Sequence, residues 1–324
     1  MTSLSLHQRH YSPIIPVEDS PWEINWHISW FQLIVVDEIG QVNSHIIKHI
    51  MKTFDALPSN PIIIFLGDAH QSLPLITVQG KTNFDSSFFS SLMTRLFKKF
   101  ELHTSHRSTT LYKEFLDKIR SFNITFDEIK RIFEHTKIPS TNKVTGKRIL
   151  AIITENPNTI YIASSHKTKD FINKTVMNYL FRDEEPDIEV IDSSGKCQVY
   201  FVGSIGMLTE NRDQIGSFMN GVIGKIINVQ STIIAVETAR TTVYVYPIYD
   251  SHRTYYYPII PAYCQTALKC QGQTLPHITW AIDRDTIGPG IGYVVLSRVR
   301  EARNVEFATV LTAKHITPMT ILQS

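Results

Sequence analysis

The sequence predicts an α/β protein made of two parallel-sheet units, with a small antiparallel β insert in the second. Three observations predict it. Short apolar runs that stop abruptly at polar residues alternate with stretches of helical apolar spacing, the pattern of strands and helices packed in layers. Between about 216 and 257 the period changes to strand-like alternation of β-branched residues and tyrosines among glycines. The α/β pattern then resumes. At 324 residues, 43% of them hydrophobic, the chain is long enough for two units with their own cores.

In chain order, Phe31 to Val36 is a continuous apolar run ending at Asp37-Glu38, expected to be a strand buried on both faces. Asn43 or Ser44 can cap the next helix, whose apolar stripe is Ile46, Ile47, Ile50, Met51 and Phe54. A second buried strand, Pro61 to Leu66, ends at Gly67-Asp68. Phe88, Phe89, Leu92 and Leu96 recur at helical spacing, and a short strand, Phe100 to Leu102, leads into Ser105-His106-Arg107. Residues 111–150 read as helical with a polar connector from Ser140 to Lys147. The second α/β unit opens with a strand, Thr159 to Ala163, and a helix, Lys169 to Leu180. In the β insert, Ile226, Val229, Ile233, Val236, Val243 and Val245 supply the alternation. A helix from Cys264 to Gln271, a buried strand from His277 to Ile282, a helix from Gly292 to Arg300 and a strand from Asn304 to Leu311 complete the pattern. The expected division is a partial unit over 1–107, a helical connector over 108–150 and a second unit over 151–324.

The bulk composition excludes little. The net charge is only +2, so any polyanion partner must meet a local basic groove rather than a basic whole. Cys197, Cys264 and Cys270 are too few and too scattered for a disulfide scaffold, which points to a reducing compartment. The first residues carry no long apolar run, so an intracellular protein of nucleus or cytoplasm is expected, neither secreted nor membrane-spanning.

The strand tips carry the chemistry. A carboxylate pair after a buried strand, as in Leu33-Ile34-Val35-Val36-Asp37-Glu38, can support a hydrated Mg²⁺ through the aspartate and orient or deprotonate a water through the glutamate. Taken alone, such a tip is more often an ordinary solvated strand end. The second tip, 31 positions further on, is Gly67-Asp68-Ala69-His70-Gln71. There a glycine allows close approach of backbone to phosphate, and a glutamine amide can sense a terminal phosphate.

Together with later segments, these tips resemble superfamily 1 helicases of the PIF/RecD type. Asp37-Glu38 and Gly67-Asp68-x-x-Gln71-x-x-Pro74 are similar to motifs II and III, and Arg107 falls where the family has its motif IV arginine. Gly206-Met207-Leu208-Thr209-Glu210-Asn211, followed by Asn220-Gly221 and Gly224, resembles G-x-V-M-L-x-x-N … N-G-x-x-G. Thr266-Ala267-Leu268-Lys269-Cys270-Gln271-Gly272-Gln273-Thr274 resembles motif V, and Tyr293 to Arg300 resembles motif VI. The matches run in family order from about residue 30 to residue 307.

The resemblance implies two RecA-like domains, the first incomplete, with an SH3-like insert in the second. It implies ATP and Mg²⁺ as cofactors and single-stranded DNA and duplex junctions as partners, with translocation from five-prime to three-prime. Replication or repair proteins would be further partners. It casts Asp37, Glu38, Gln71, Arg107 and Arg298 as catalytic, the arginines as fingers supplied across a cleft. Gly67, Asp68 and Gly272, with Asp37, Gln71 and Arg298, would line the nucleotide, and Asp37 would hold Mg²⁺ through water. Thr266, Lys269, Gln273 and Asn211 would meet nucleic acid. Considered singly, these motif V residues fit a capped amphipathic helix equally well.

The departures are specific. Leu268 and Cys270 stand where the family has histidine and serine, Ile39-Gly40-Gln41 follows the carboxylate pair, and Ala163-Ser164-Ser165-His166 replaces a threonine–asparagine pair. Nothing in the sequence matches the phosphate loop G-x-x-x-x-G-K-[ST]. The triplet Gly80-Lys81-Thr82 has Leu75 where the first glycine belongs and is read as a polar loop. If the Leu6-His7 region corresponds to motif Ia, the missing loop belongs just ahead of Met1, and a truncated motor is expected. Two other readings share the motifs: a catalytically inactive helicase-derived module that binds nucleic acid or a partner protein, and a RecD-like subunit of a nuclease complex. The tyrosines Tyr244, Tyr246, Tyr249, Tyr255, Tyr256 and Tyr257 fit either base stacking or plain strand packing.

Overall fold

A computed structural model describes residues 30–318 except 69, 72–74, 79–80, 85–96, 99, 103–106, 122, 192–196, 213–217, 231, 250–254 and 285–286. The Leu6-His7 region, the helix expected around Phe88 to Leu96, and Ser105-His106 lie outside the described residues.

Strand β1 (Leu33–Val36) pairs in parallel with β2 (Ile62–Phe65), in the register Leu33 to Ile62 through Val36 to Phe65. Helix α1 (Ser44–Asp55) crosses between them, capped by the Asn43 side chain, which accepts a hydrogen bond from the Ile46 backbone. Ile34, Phe54 and Leu57 form a small core with Ile63 and Phe65 packed against it. The expectation that both strands are buried on both faces is wrong. Leu33, Val35, Ile62 and Ile64 share the opposite face and are 40–69% exposed. Successive side chains of a strand point to opposite faces, and among the described residues only one face carries a helix layer.

Residues Leu75–Val78 (β3) and Lys81–Phe84 (β4) form an antiparallel pair, so Lys81 and Thr82 lie on a strand rather than in the polar loop expected there. The short strand expected at Phe100 to Leu102 is absent. Those residues are irregular, with Phe100 and Leu102 projecting to solvent.

Helices α2 (Thr110–Arg120), α3 (Phe126–Ile132) and α4 (Gly146–Glu155) lead into a second parallel sheet. Its order is β15 (Cys264–Thr266), β5 (Ile160–Ala163), β16 (Ile278–Ala281) and β17 (Val305–Phe307), and every neighbouring pair is parallel. Both faces are covered. Ile162, Trp280 and Phe307 pack with Tyr112, Phe115 and Phe133 from α2 and the end of α3, and with Val295 and Leu296 of α6 (Ile291–Leu296). Tyr161, Ala163 and Cys264 pack with Ile149 and Ile152 of α4 and with Ile172 and Val176 of α5 (His166–Leu180).

The helix expected from Cys264 to Gln271 is instead strand β15 followed by turns. Asn173 of α5 fixes this strand. Its side chain donates to the Cys264 carbonyl at 3.0 Å and accepts from the Cys264 amide at 2.9 Å, all buried.

The change of period marks a five-stranded antiparallel sheet in the order β11 (Thr242–Val245), β10 (Ile233–Thr238), β9 (Ile223–Gln230), β8 (Ile205–Leu208) and β14 (Ile259–Pro261). It extends beyond the expected limits at both ends. Leu208, Ile226, Ile234, Val236, Val245, Tyr257 and Ile259 form its core. Two separate antiparallel pairs are β6 (Ile188–Ile191) with β7 (Cys197–Tyr200) and β12 (Ile248–Tyr249) with β13 (Tyr255–Tyr256). No helix among the described residues is long and apolar enough to cross a membrane.

Candidate functional site

At the tip of β1 the chain turns sharply. Glu38 adopts a left-handed conformation (φ 53°, ψ 40°), a backbone state costly for a residue with a Cβ. The Asp37 carboxylate supports the turn by accepting from the Glu38 amide at 2.8 Å. The Ile39 amide ties it to the tip of β2 by donating to the Leu66 carbonyl at 2.9 Å. Asp37 remains exposed.

The Glu38 side chain reaches the turn after β15. Gln271 Nε2 donates to Glu38 Oε2 at 3.3 Å. Gly272 sits beside it at φ +78°, where a Cβ would lie 3.5 Å from Glu38 Oε1. The positive φ explains glycine here better than steric exclusion does.

The tip of β2 meets the second sheet unit through Asp68. Its Oδ1 accepts from the His70 amide at 3.0 Å and from Arg120 Nη2, at the end of α2, at 3.3 Å. Its Oδ2 accepts from Gln71 Nε2 at 3.4 Å. Burial pushes this carboxyl up, but the bonds from His70 and the Arg120 charge outweigh it and hold it down at about 2. Arg120 also lies over the Tyr293 ring, 5.7 Å from its centroid. Gly290, at the start of α6, approaches the Gln71 backbone so closely that a Cβ would lie 3.0 Å from its carbonyl carbon. The side-chain oxygens Gln71 Oε1 and Gln271 Oε1 are buried with no partner.

The two arginines behave differently. Arg107 bridges the junction with long bonds, donating to the Ser297 and Gly272 carbonyls, each at 3.4 Å. Arg298 is 1% exposed and is committed internally. It donates to the Val294 carbonyl at 2.7 Å, the Gln273 carbonyl at 3.2 Å, the Cys270 carbonyl at 3.4 Å and the Ser297 hydroxyl at 2.7 Å. Burial pulls its pKa below the ordinary arginine value. In this conformation Arg298 staples the turn after β15 to α6.

The residues expected to meet nucleic acid also assemble. Lys269 Nζ donates to Asn220 Oδ1 at 3.2 Å, and the Asn220 amide donates to Asn211 Oδ1 at 2.9 Å. Gln273 Nε2 donates to the Lys269 carbonyl at 3.0 Å and to Gln265 Oε1 at 3.5 Å. The carbonyl of Thr266 accepts from the amides of Lys269 and Cys270. Leu268 is exposed beside Lys269. On the β insert, Tyr244, Tyr246, Tyr249 and Tyr255 are 38–69% exposed, whereas Tyr257 is buried.

The junction thus gathers Glu38, Asp68, Gln71, Arg107 and Gly272, with Arg298 behind the turn and Asp37 at its rim. Sequence reasoning missed Arg120 and Asn173, and it placed Asn220 in a motif without its contact to Lys269. Arg120 is one charged residue on an amphipathic helix, and nothing in its spacing distinguishes it from a solvated one. Among the described residues, no group of three or more His, Cys, Asp or Glu side chains is placed to hold a metal. A single carboxylate with water, as Asp37 offers, is a common way to hold Mg²⁺.

No protein-family model matches the sequence, and no curated protein matches it significantly. Solved structures do match. A Bacteroides Pif1 helicase in complex with ADP-AlF3 and ssDNA is 20% identical, with a TM-score of 0.70 over 95% of this chain and 77% of that one. A Pif1 helicase from a study of unwinding at forked dsDNA is 21% identical, with a TM-score of 0.69 over 97% and 77%. The Candida albicans Pif1 helicase is 16% identical, with a TM-score of 0.62 over 88% and 73%. The chain therefore has the fold seen in Pif1 helicases over nearly its whole length.

Proposed function

We propose that this chain is the greater part of a superfamily 1 DNA-helicase motor. Its two parallel sheets are two RecA-like domains, over about 1–107 and 151–324, joined by the helical connector over 108–150. The antiparallel sheet is an SH3-like insert. The observation that carries this reading is the convergence of Glu38, Gln71, Arg107 and Gly272, from distant segments, on one junction between the sheets. Open parallel sheets bind ligands at the carboxyl ends of their strands, and both β1 and β2 end there.

The residues fit a nucleotide. The unpartnered oxygens of Gln71 and Gln271 can hold a water or a protonated ligand group, and Arg107 is loosely enough bound to turn toward a phosphate. Asp37 would hold Mg²⁺ through water, and the bound metal would neutralise charge on the transferred group. Glu38, already pinned by its strained turn and by Gln271, would orient and deprotonate the attacking water. Arg107 would supply the cross-cleft charge directly. For Arg298 to do so it must exchange its internal carbonyls for phosphate. The Lys269–Asn220–Asn211 cluster, with Thr266 and Gln273, would contact single-stranded DNA, with replication or repair proteins as its setting.

The absence of G-x-x-x-x-G-K-[ST] from these 324 residues favours one further reading, a helicase-derived module that binds single strands without turnover. Positioning is most of phosphoryl-transfer catalysis, so the chain by itself is expected to hydrolyse ATP poorly or not at all. In a fusion that adds a family phosphate-binding segment ahead of Met1, turnover should appear. There Glu38→Gln should abolish it while leaving ATP binding intact. Robust turnover by the unfused chain would overturn the partial-motor reading, and wild-type turnover in the Glu38→Gln fusion would remove Glu38 from the proposed role.

A further inference from the structure

We propose that Arg120 is a positioning residue, acting across the junction through Asp68 to orient the side-chain amide of Gln71. The geometry is a relay of three side chains. Arg120 closes helix α2, which belongs to the second sheet unit, since Tyr112 on the same helix donates to the Leu296 carbonyl of α6 at 2.8 Å. Its guanidinium donates to Asp68 Oδ1 at 3.3 Å, and the other carboxylate oxygen of Asp68 accepts from Gln71 Nε2 at 3.4 Å. One carboxylate therefore holds a cation from one unit and an amide of the other.

The consequence for Gln71 is directional. With its Nε2 committed to Asp68, its Oε1 is the buried, unpartnered acceptor. An amide in this pose, with one N–H held by Asp68, presents its oxygen as the unpartnered acceptor at the junction. Free rotation would present either end. Arg120 in turn is oriented by the Tyr293 ring and by Asp117 at 3.9 Å, and it shares Asp68 with His70, whose Nδ1 lies 3.2 Å from Arg120 Nη2. Because the relay spans both units, separating them pulls Arg120 from Asp68 and releases the amide. Closure of the junction and the pose of Gln71 are thereby coupled. Placing Gln71 against a nucleotide rests on the function proposed above; the relay itself does not.

The test uses the 324-residue chain with ¹⁵N-labelled glutamine. The Gln71 side-chain amide is assigned by its loss in Gln71→Ala. In Arg120→Met, which keeps the stem on Tyr293 but removes the donors, the Gln71 amide signal should shift toward that of a solvent-exposed glutamine. The amides of Gln230 and Gln265 should stay in place. Asp68→Asn should displace the Gln71 signal similarly, and the double variant should add little, whereas Arg120→Lys should restore it partway. A Gln71 signal unmoved in Arg120→Met overturns the relay whatever Asp68→Asn does, as does movement of all glutamine amides together. If Arg120→Met fails to fold, Arg120→Lys decides, by whether the Gln71 signal moves from its wild-type position. Single-strand affinity measured on the same samples separates the two ideas: normal binding with an indifferent Gln71 sinks the relay only, and a responsive Gln71 without binding sinks the functional reading only.

Discussion

The strands β2 and β16 have nearly the same character in sequence and opposite fates in the fold. Ile62-Ile63-Ile64-Phe65 and Ile278-Thr279-Trp280-Ala281 are both short runs in parallel sheets. Every side chain of β16 is buried, between helices on both faces. In β2 exposure alternates, with Ile62 at 69% and Ile64 at 40%. Apolar character predicts a strand and its pairing. It does not say how many layers cover it, because coverage depends on segments elsewhere in the chain. The lesson extends to the proposed function: the better covered unit holds the cluster proposed to meet nucleic acid, and the thinner one contributes the carboxylates Asp37 and Glu38.

The sharpest way to break this contrast is to cut each sheet in turn. Phe307 is fully buried, with Phe133 edge-on at 5.3 Å and Trp280 at 6.2 Å. Phe307→Ala should cost about 3–5 kcal/mol in urea unfolding, the transfer term plus the cavity it leaves. Ile62→Thr should stay within about 0.5 kcal/mol, as surface substitutions do. Comparable losses at both positions would mean that the exposed face of β1 and β2 is covered in solution.

A second contrast separates the arginines. Arg298→Met strands the carbonyls of Val294, Cys270 and Gln273 in a buried setting, and a loss of about 2–3 kcal/mol is expected. Arg107→Met breaks only long, part-exposed bonds and should cost less than about 1 kcal/mol. Equal losses would erase the distinction between a structural staple and a cleft arginine.

A smaller effect concerns pH. Asp68 is held at about 2 against an ordinary 3.8, so its folded value is depressed. Its contribution is complete above pH 4 and is lost as the pH falls through 2, a difference of about 2 kcal/mol. Asp68→Asn should flatten that acid-side slope in urea unfolding measured between pH 4 and 2. An unchanged slope would show that the Arg120 and His70 contacts are too loose to hold the carboxylate.

These experiments bear on what was legible in the sequence. The parallel strands other than β15 were, since Leu33 to Val36 and Ile278 to Ala281 are apolar runs with polar stops. The segment from Cys264 was misread because Ala267, Leu268 and Cys270 carry helical spacing. In the fold Gln265 is fully buried in a strand, a cost accepted because Asn173 and neighbouring β5 secure the backbone. The β insert was found by its period but drawn too short, since Ile205 to Leu208 and Ile259 to Pro261 look like ordinary strand ends until paired. Residues of the candidate site were legible where they sat in motifs, as Glu38, Gln71 and Gly272 do. Arg120 was invisible because its partner lies 52 positions away, across the junction.

The account turns on whether the second unit and its insert hold single strands through Lys269 and its neighbours. The direct measurement is the affinity of the 324-residue chain for a fluorescent single-stranded oligonucleotide across a series of KCl concentrations, beside Lys269→Ala. Binding by phosphate contacts releases counterions, so log affinity should fall linearly with log salt, and Lys269→Ala should lessen the slope by about one phosphate contact. No binding at low salt, or affinity indifferent to salt and to Lys269, would contradict it.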